Sequence, residues 1–136
     1  MAGYSGTALP KKLGIRDNFR VAFSGLPPDV IGELRNALLR CSMVKDGREP
    51  LDFVMMFTKE KSDLKREFSR VAKQLAPRGM LWVSWPKKSS GVATDLDENE
   101  VRRIGLEAGL VDVKVCAVSE VWSGLKFVIR RQDRKR

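Results

Sequence analysis

Two lysines and two serines in one polar loop are the residues of this chain best suited to bind a ligand. Lys87, Lys88, Ser89 and Ser90 follow one another directly, and Gly91 comes next. Ammonium and hydroxyl groups donate hydrogen bonds to phosphate oxygens, and a glycine lets a ligand approach the backbone closely. The loop therefore predicts an anion site, for which a phosphate group is the natural ligand.

Residues close to this loop and in a later turn add three candidates. Trp85 ends the apolar run before the loop, and Trp122 flanks a later turn. An exposed tryptophan can stack on a base or another ligand ring, although tryptophan is more often a core or partly buried residue. Thr94 lies where the next helix is predicted to begin, and helix N-termini attract anions.

Acidic residues after the loop support a second interpretation. Asp95, Asp97 and Glu98 can neutralise the two lysines and occupy the positive end of the helix dipole. Asp95 and Glu98 also have the spacing of a capping box. On this interpretation the loop is a capped, ion-paired surface, and both interpretations stay open.

Several kinds of chemistry are excluded or disfavoured by composition. The chain has no histidine, which excludes Ser-His-Asp and Cys-His catalysis and HExxH zinc sites. Cys41 and Cys116 lie far apart without a CxxC pattern, so we expect no disulfide, no metal site and a reducing cytoplasmic location. Lys114 near Cys116 makes a lowered thiol pKa conceivable, but a small buried residue is the better interpretation.

The charge balance favours anionic partners. The net charge is +9, from 26 Lys plus Arg against 17 Asp plus Glu, and no segment has the length and apolar character of a membrane span. Basic residues near both ends are candidates for phosphate contacts with nucleic acid that do not read the base sequence. An ordinary solvated basic surface explains them equally well. These candidates are Lys11, Lys12, Arg130, Arg131, Arg134, Lys135 and Arg136.

Apolar runs and helical patterns alternate along the chain and build the sheet that must position the loop. Strands are predicted at residues 19–24, 51–57 and 80–85, and helices at residues 28–39 and 60–76 between them. Strand and helix in alternation indicate an α/β fold, a three-layer sandwich with a mostly parallel sheet of five or six strands.

The C-terminal part completes this sheet. Residues 111–117 and 125–129 alternate between apolar and polar positions, and a short loop separates them, so we expect an antiparallel strand pair at one edge. Pro77 is predicted to end the preceding long helix, with a turn at Gly79. We expect an extended arm or a loop laid on the domain over residues 1–18, one domain over residues 19–131, and a basic tail over residues 132–136.

Residues 51–131 contain the motifs LDFVMMF and LAPRGMLWVSWPK and end in the predicted strand pair. By these features the segment resembles the second half of class I methyltransferases that use S-adenosylmethionine. The resemblance implies a Rossmann-like fold, in which ligands bind off the carboxyl ends of the parallel strands. That location adds Ser24, Gly25 and Thr58 to the candidate ligand-binding residues.

The first strand departs from the same family. Where the methyltransferases carry a glycine-rich loop, this chain reads Ser24-Gly25-Leu26-Pro27-Pro28, and the two prolines remove two backbone donors. Asp46 lies at the distance of the acidic residue that would hold the ribose, but its DGRE context favours a turn. We therefore expect no bound cofactor.

Three further stretches resemble the signature of a small bacterial family of unknown function. They are MAGYSGTALPKKLGI, WPKKSSGVATDLDENEVR and GLVDVKVCAVSEVWSGLKFVIRR. This resemblance implies no activity. We predict a non-catalytic binding or interaction module on a degenerate methyltransferase-like scaffold, with a phosphate, nucleotide or nucleic acid partner. The alternative is a small S-adenosylmethionine-dependent methyltransferase.

Overall fold

A computed structural model describes residues 7–45 and 50–134. A six-stranded sheet forms its centre, with helices on both faces and two short 3-10 turns at residues 88–90 and 131–133. The strands are β1 (Arg20–Ser24), β2 (Ser42–Met43), β3 (Leu51–Phe57), β4 (Leu75–Pro86), β5 (Leu110–Ala117) and β6 (Trp122–Ile129). The helices are α1 (Leu9–Leu13), α2 (Pro28–Leu38), α3 (Lys61–Ala72) and α4 (Glu98–Glu107).

The strand order across the sheet is β2-β1-β3-β4-β6-β5. The first four of these strands are parallel, and β6 runs antiparallel to both of its neighbours, β4 and β5. The predicted α/β sandwich, with its mostly parallel sheet and C-terminal antiparallel pair, is therefore confirmed. Among the residues described, no helix is long and apolar enough to cross a membrane.

The core has one layer on each face of the sheet. The α3 and α4 layer contains Phe68 and Phe127, whose rings meet edge to face at 5.2 Å. Gly105 of α4 makes this packing possible, because a Cβ there would lie 2.1 Å from the Phe127 ring. The α1 and α2 layer is built around Phe53 and Trp82, both fully buried.

The boundary between α3 and β4 differs from the prediction. The helix ends at Ala72, and Leu75 already pairs with Leu51 of β3. Pro77 lies inside β4, in a register irregularity between the pairs Leu51–Leu75 and Phe53–Met80. A proline is tolerated there because an irregularity leaves backbone groups outside the regular ladder. Pairing and burial of Leu75 thus override the helical pattern.

Within the arm predicted over residues 1–18, the described residues 9–13 are helical and not extended. Residues 9–13 form helix α1, and Leu9 and Leu13 are buried against the sheet. The indole Nε1 of Trp82 donates a hydrogen bond to the Leu13 carbonyl at 2.9 Å. Two leucines four positions apart suffice to dock one helical turn. Residues 1–6 of the arm lie outside the described residues, as do the last two of the basic tail.

Candidate functional site

The carboxyl ends of the parallel strands form an open cleft. Ser24 ends β1, Phe57 ends β3 and Pro86 ends β4, so the loops that follow them share one edge of the sheet. The cleft has a volume of about 440 Å³. It is lined by Gly25, Pro27, Phe57, Thr58, Lys59, Glu60, Asp63 and Trp122.

Two aromatic rings form the apolar wall of this cleft. Phe57 and Trp122 meet edge to face, with ring centroids 5.2 Å apart and planes at 87°. Trp122 lines the cleft, although most of its surface is buried. Trp85 is not available for stacking on a ligand, because it lies in the core on the α3 and α4 face. The core interpretation is correct for Trp85.

The predicted anion loop forms a 3-10 turn beside the end of β4. The Ser90 hydroxyl donates to the Lys87 carbonyl at 2.6 Å and accepts from Val92 N at 3.2 Å, so Ser90 stabilises the turn itself. Lys87 N donates to the Val121 carbonyl at 2.8 Å, which fixes the turn against the start of β6. Lys88 and Ser89 are exposed to solvent.

The predicted pairing of the loop lysines with acidic residues is wrong. Asp95 accepts a hydrogen bond from Lys61 N at 2.7 Å, at the N-terminus of α3. Asp97, and not Asp95, caps α4 by accepting from Glu100 N at 2.8 Å. Each carboxylate satisfies a backbone donor at a helix end, which is a strong preference for aspartate.

The remaining loop residues have structural partners of their own. Glu98 pairs with Arg102 at 2.7 Å. The Thr94 hydroxyl donates to the Lys59 carbonyl at 2.6 Å and accepts from Leu96 N at 3.1 Å. Thr94 therefore fastens this loop to the end of β3, and its hydroxyl hydrogen is already committed. The sequence indicated Thr58 but did not single out Lys59 as a candidate; its signal was a cation directly after a buried strand.

The loop after β1 does not fit an adenosyl cofactor. Gly25 has a φ of +68°, and a Cβ there would lie 2.6 Å from the Phe57 carbonyl oxygen, so the loop rests directly on the end of β3. Pro27 and Pro28 occupy the cap and first position of α2, and Asp29 places a carboxylate in the first turn. Few backbone donors remain for a ligand there.

The connection between β2 and β3, which would complete a cofactor site, is also short. Residues 44–50 alone connect β2 to β3, although parallel strands normally need a dozen or more residues for a crossover with a helix. Asp46, the candidate for a ribose contact, lies outside the described residues. Among the described residues, no group of acidic or cysteine side chains could hold a metal ion.

The basic candidates that the structure describes near the two chain ends do not form one surface. The Lys12 ammonium donates to the Ala117 carbonyl at 2.8 Å, at one end of β5. The tail follows β6 at the opposite end, where Ile129 pairs with Leu110. The length of β5 therefore separates them by roughly 23 Å.

Internal contacts engage part of the tail. Arg130 pairs with Asp133 at 3.0 Å, and Arg134 Nε donates to the Ile129 carbonyl at 3.0 Å. Lys11 and Arg131 are exposed. Lys135 and Arg136 lie outside the described residues. The interactions of Arg130 and Arg134 reduce the cationic surface that the tail offers to a polyanion.

Several solved structures have this fold at low sequence identity. Magnesium protoporphyrin IX methyltransferase from Synechocystis PCC 6803 with bound SAH matches with a TM-score of 0.58 and 12% identity, over 90% of this chain and 78% of that one. Aeropyrum pernix fibrillarin with bound S-adenosyl-L-methionine matches with a TM-score of 0.54 and 15% identity, over 89% and 72%.

An O-methyltransferase from neocarzinostatin biosynthesis matches with a TM-score of 0.61 and 14% identity, over 94% of this chain and 53% of that one. These likenesses show a methyltransferase-like Rossmann fold and nothing further about activity. No curated protein matches the chain. A family model described as a protein of unknown function (DUF3052) matches residues 10–131.

Proposed function

The chain belongs to the DUF3052 family of proteins of unknown function, and we propose that it is a binding module for a phosphate-bearing small molecule. The ligand binds at the carboxyl edge of the sheet, between the Gly25–Trp122 cleft and the turn at residues 87–90. The protein holds the ligand by charge and hydrogen bonds and transfers no methyl group.

One observation carries this proposal. Within residues 7–45 and 50–134, no carboxylate pairs with Lys59, Lys87 or Lys88, although three acidic residues follow in the same loop. Lysines that meet a phosphate dianion need no protein carboxylate, and a paired carboxylate would compete with the ligand. Their unpaired state is therefore what an anion site requires.

Neutral donors at the same edge support the proposal. Ser89 is exposed beside the lysines. The Thr58 hydroxyl makes long hydrogen bonds to Glu60, donating to its carbonyl and accepting from its backbone N–H, both at 3.4 Å. Asp63 lines the cleft, but Arg66 holds its carboxylate at 2.6 Å. The anionic end of the ligand consequently binds on the side of the Lys87–Ser89 turn, away from Glu60.

A calorimetric titration with pyrophosphate tests the proposal. We expect saturable binding to the wild type and at least a tenfold weaker affinity in the Lys87→Ala/Lys88→Ala double variant, because two charge-assisted hydrogen bonds are removed. The melting temperature should stay close to that of the wild type, since neither side chain has a structural partner in the described residues.

The matched control is the double variant Lys65→Ala/Lys73→Ala, which removes two exposed lysines near α3. It changes the net charge equally and should leave pyrophosphate affinity nearly unchanged. Equal affinity in wild type and the Lys87→Ala/Lys88→Ala variant would refute the site. Equal weakening in both double variants would mean that only overall charge matters.

S-adenosylmethionine-dependent methyl transfer is the second candidate, supported by the likeness of fold to structures that contain this cofactor. Nucleic acid is a third possible partner, suggested by the basic ends. An oligonucleotide titrated at 50 and 200 mM salt separates it from a small ligand. If six phosphates are contacted, affinity should fall about a thousandfold between the two salt concentrations.

A further inference from the structure

Two lysines face each other across the antiparallel pair β5–β6, far from the carboxyl-edge cleft. Lys114 of β5 is the register partner of Lys126 of β6. Directly opposed residues in an antiparallel pair project from the same face with their Cβ atoms about 5 Å apart, and like charges at such positions are destabilising. Two cations at these positions lower the stability of the strand pair, so their placement needs an explanation.

A third lysine joins them from helix α1. The Lys114 ammonium donates to the Lys12 carbonyl at 2.9 Å, at the end of that helix. The Lys12 ammonium in turn donates to the Ala117 carbonyl at 2.8 Å. Lys126 runs beneath the same helix end, because a Cβ on Gly14 would lie 3.8 Å from its Nζ atom. We call Lys12, Lys114 and Lys126 the sheet-face lysines.

Lys126 is the unexplained member of this group. Its side chain is half-buried, and in the described part of the chain its ammonium has neither a hydrogen-bond acceptor nor an ion-pair partner. Burial and the nearby charge of Lys114 both lower the pKa of Lys126. Lys114 and Lys12 cap carbonyl groups, but no such structural role accounts for Lys126.

Within residues 7–45 and 50–134, no carboxylate pairs with Lys114 or Lys126. Asp112, the carboxylate of β5, accepts from Arg102 of α4 at 2.8 Å on the other face of the sheet. Cys116 lies on the same face as Lys114, and burial raises the pKa of its thiol, so it remains neutral. The lowered thiol pKa considered from the sequence is thus wrong, and Cys116 supplies no negative charge.

We propose that the sheet-face lysines form a second anion site that binds a phosphate dianion, with the free ammonium of Lys126 as its principal ligand. The site is independent of the proposed carboxyl-edge site, since it lies on the α1 side of the β5–β6 pair. A dianion would offset the opposed charges of Lys114 and Lys126, which gives a reason for their placement.

Thermal unfolding of the full chain in sodium phosphate, against sodium chloride of equal ionic strength, tests the site. The melting temperature of the wild type should rise by about 5 °C at a phosphate concentration ten times the Kd. Lys126→Gln should lose the part of this rise that binding at the sheet-face lysines contributes. Without phosphate, Lys126→Gln should melt at or above the wild-type temperature, because it removes a half-buried, opposed charge.

Two control variants and a second ligand test whether the phosphate response is specific to the sheet-face lysines. The Lys73→Gln variant removes an exposed lysine just after α3 and should keep the full phosphate response. The Lys87→Ala/Lys88→Ala variant should keep the part of the response that depends on Lys126. Glycerol phosphate titrated beside inorganic phosphate distinguishes an esterified from a free phosphate. An unchanged response in Lys126→Gln would overturn the proposal. So would a lower melting temperature of this variant without phosphate, because Lys126 would then be structural.

Discussion

The two halves of the sheet differ in how completely they are built. Strands β3, β4, β6 and β5 pair over long stretches and are covered by α3 and α4, whereas β2 has two exposed residues and pairs with β1 alone. The half that would carry a cofactor loop is the shortened one. The likeness of fold to methyltransferases nevertheless extends over both halves, covering 90% of the chain in one match, so a shared fold here is compatible with a different ligand.

Glycines in the two halves of the sheet permit different kinds of close contact. Gly105 lets α4 approach the sheet in the complete half, and Gly25 lets the β1–α2 loop rest on the end of β3 in the shortened half. The first contact is between a helix and a core ring, and the second is between two backbone segments. Substitutions at each position measure how much of the fold depends on it.

Gly105→Ala should have the largest effect on stability. Its Cβ would lie 2.1 Å from the buried Phe127 ring, so α4 must shift away from the sheet, and we expect a loss of about 3 kcal/mol in the free energy of unfolding. Gly32→Ala in α2 is the control, because nothing lies within 4 Å of a Cβ there. Alanine should stabilise that helix by up to about 1 kcal/mol. Urea unfolding measures both, and equal effects would contradict the account.

Gly25→Ala should come next, with a loss of about 2 kcal/mol. Alanine at this position meets both a positive φ and a carbonyl oxygen 2.6 Å from its Cβ. Gly91→Ala is the matched control, since it has a φ of +75° but open space around the Cβ. The difference between the two variants isolates the close approach to Phe57. A Gly25→Ala variant as stable as Gly91→Ala would show that the loop is not held against β3.

Trp82→Phe should be more destabilising than Trp85→Phe by about 1 kcal/mol. Both tryptophans are buried in β4, but only the Trp82 indole has a recorded hydrogen bond in the described residues, to the Leu13 carbonyl. Removing this donor leaves a buried carbonyl without its partner. Chemical unfolding of both variants provides the measurement. Equal losses would mean that α1 is held by its leucines alone.

The smallest expected effect is a pH dependence at the contact between α3 and α4. Arg103 and Lys61 lower the pKa of Glu100 from 4.5 to about 2, and Lys61 belongs to α3. Because the folded pKa lies below the unfolded one, the stabilisation is fully present above about pH 4.5 and is lost as the pH falls through 2.

Glu100→Gln should therefore be less stable than the wild type at pH 7, and the difference should disappear towards pH 2. Glu107→Gln is a suitable control, because Glu107 pairs with Arg103 inside α4 and makes no recorded bridge to α3. Urea unfolding at several pH values gives the comparison. A difference for Glu100→Gln that persists at pH 2 would exclude the carboxylate as its cause.

The sequence predicts the strands well where burial is continuous. Leu51–Phe57 is a strand over the predicted residues, because a run of apolar side chains has few other stable arrangements. Prediction from the sequence fails where a tertiary contact outweighs a local signal. Pro77 is a helix-ending signal, yet pairing between Leu75 and Leu51 sets the actual boundary.

In the candidate site, too, local features were predictable and contacts between distant elements were not. The position of the Lys87–Ser90 turn at the carboxyl edge was predictable, since it directly follows a buried strand. The role of Asp95 was not, because its partner is Lys61 N on another helix. The opposition of Lys114 and Lys126 depends on a register irregularity between Asp112 and Lys114, which alternation alone does not reveal.

Calorimetric titration of the full chain with S-adenosylhomocysteine tests the central claim most directly. Two prolines and the contact between Gly25 and Phe57 leave few backbone donors to hold this molecule. We predict no saturable binding under conditions in which pyrophosphate binds. Saturable binding of S-adenosylhomocysteine that S-adenosylmethionine displaces would contradict the account.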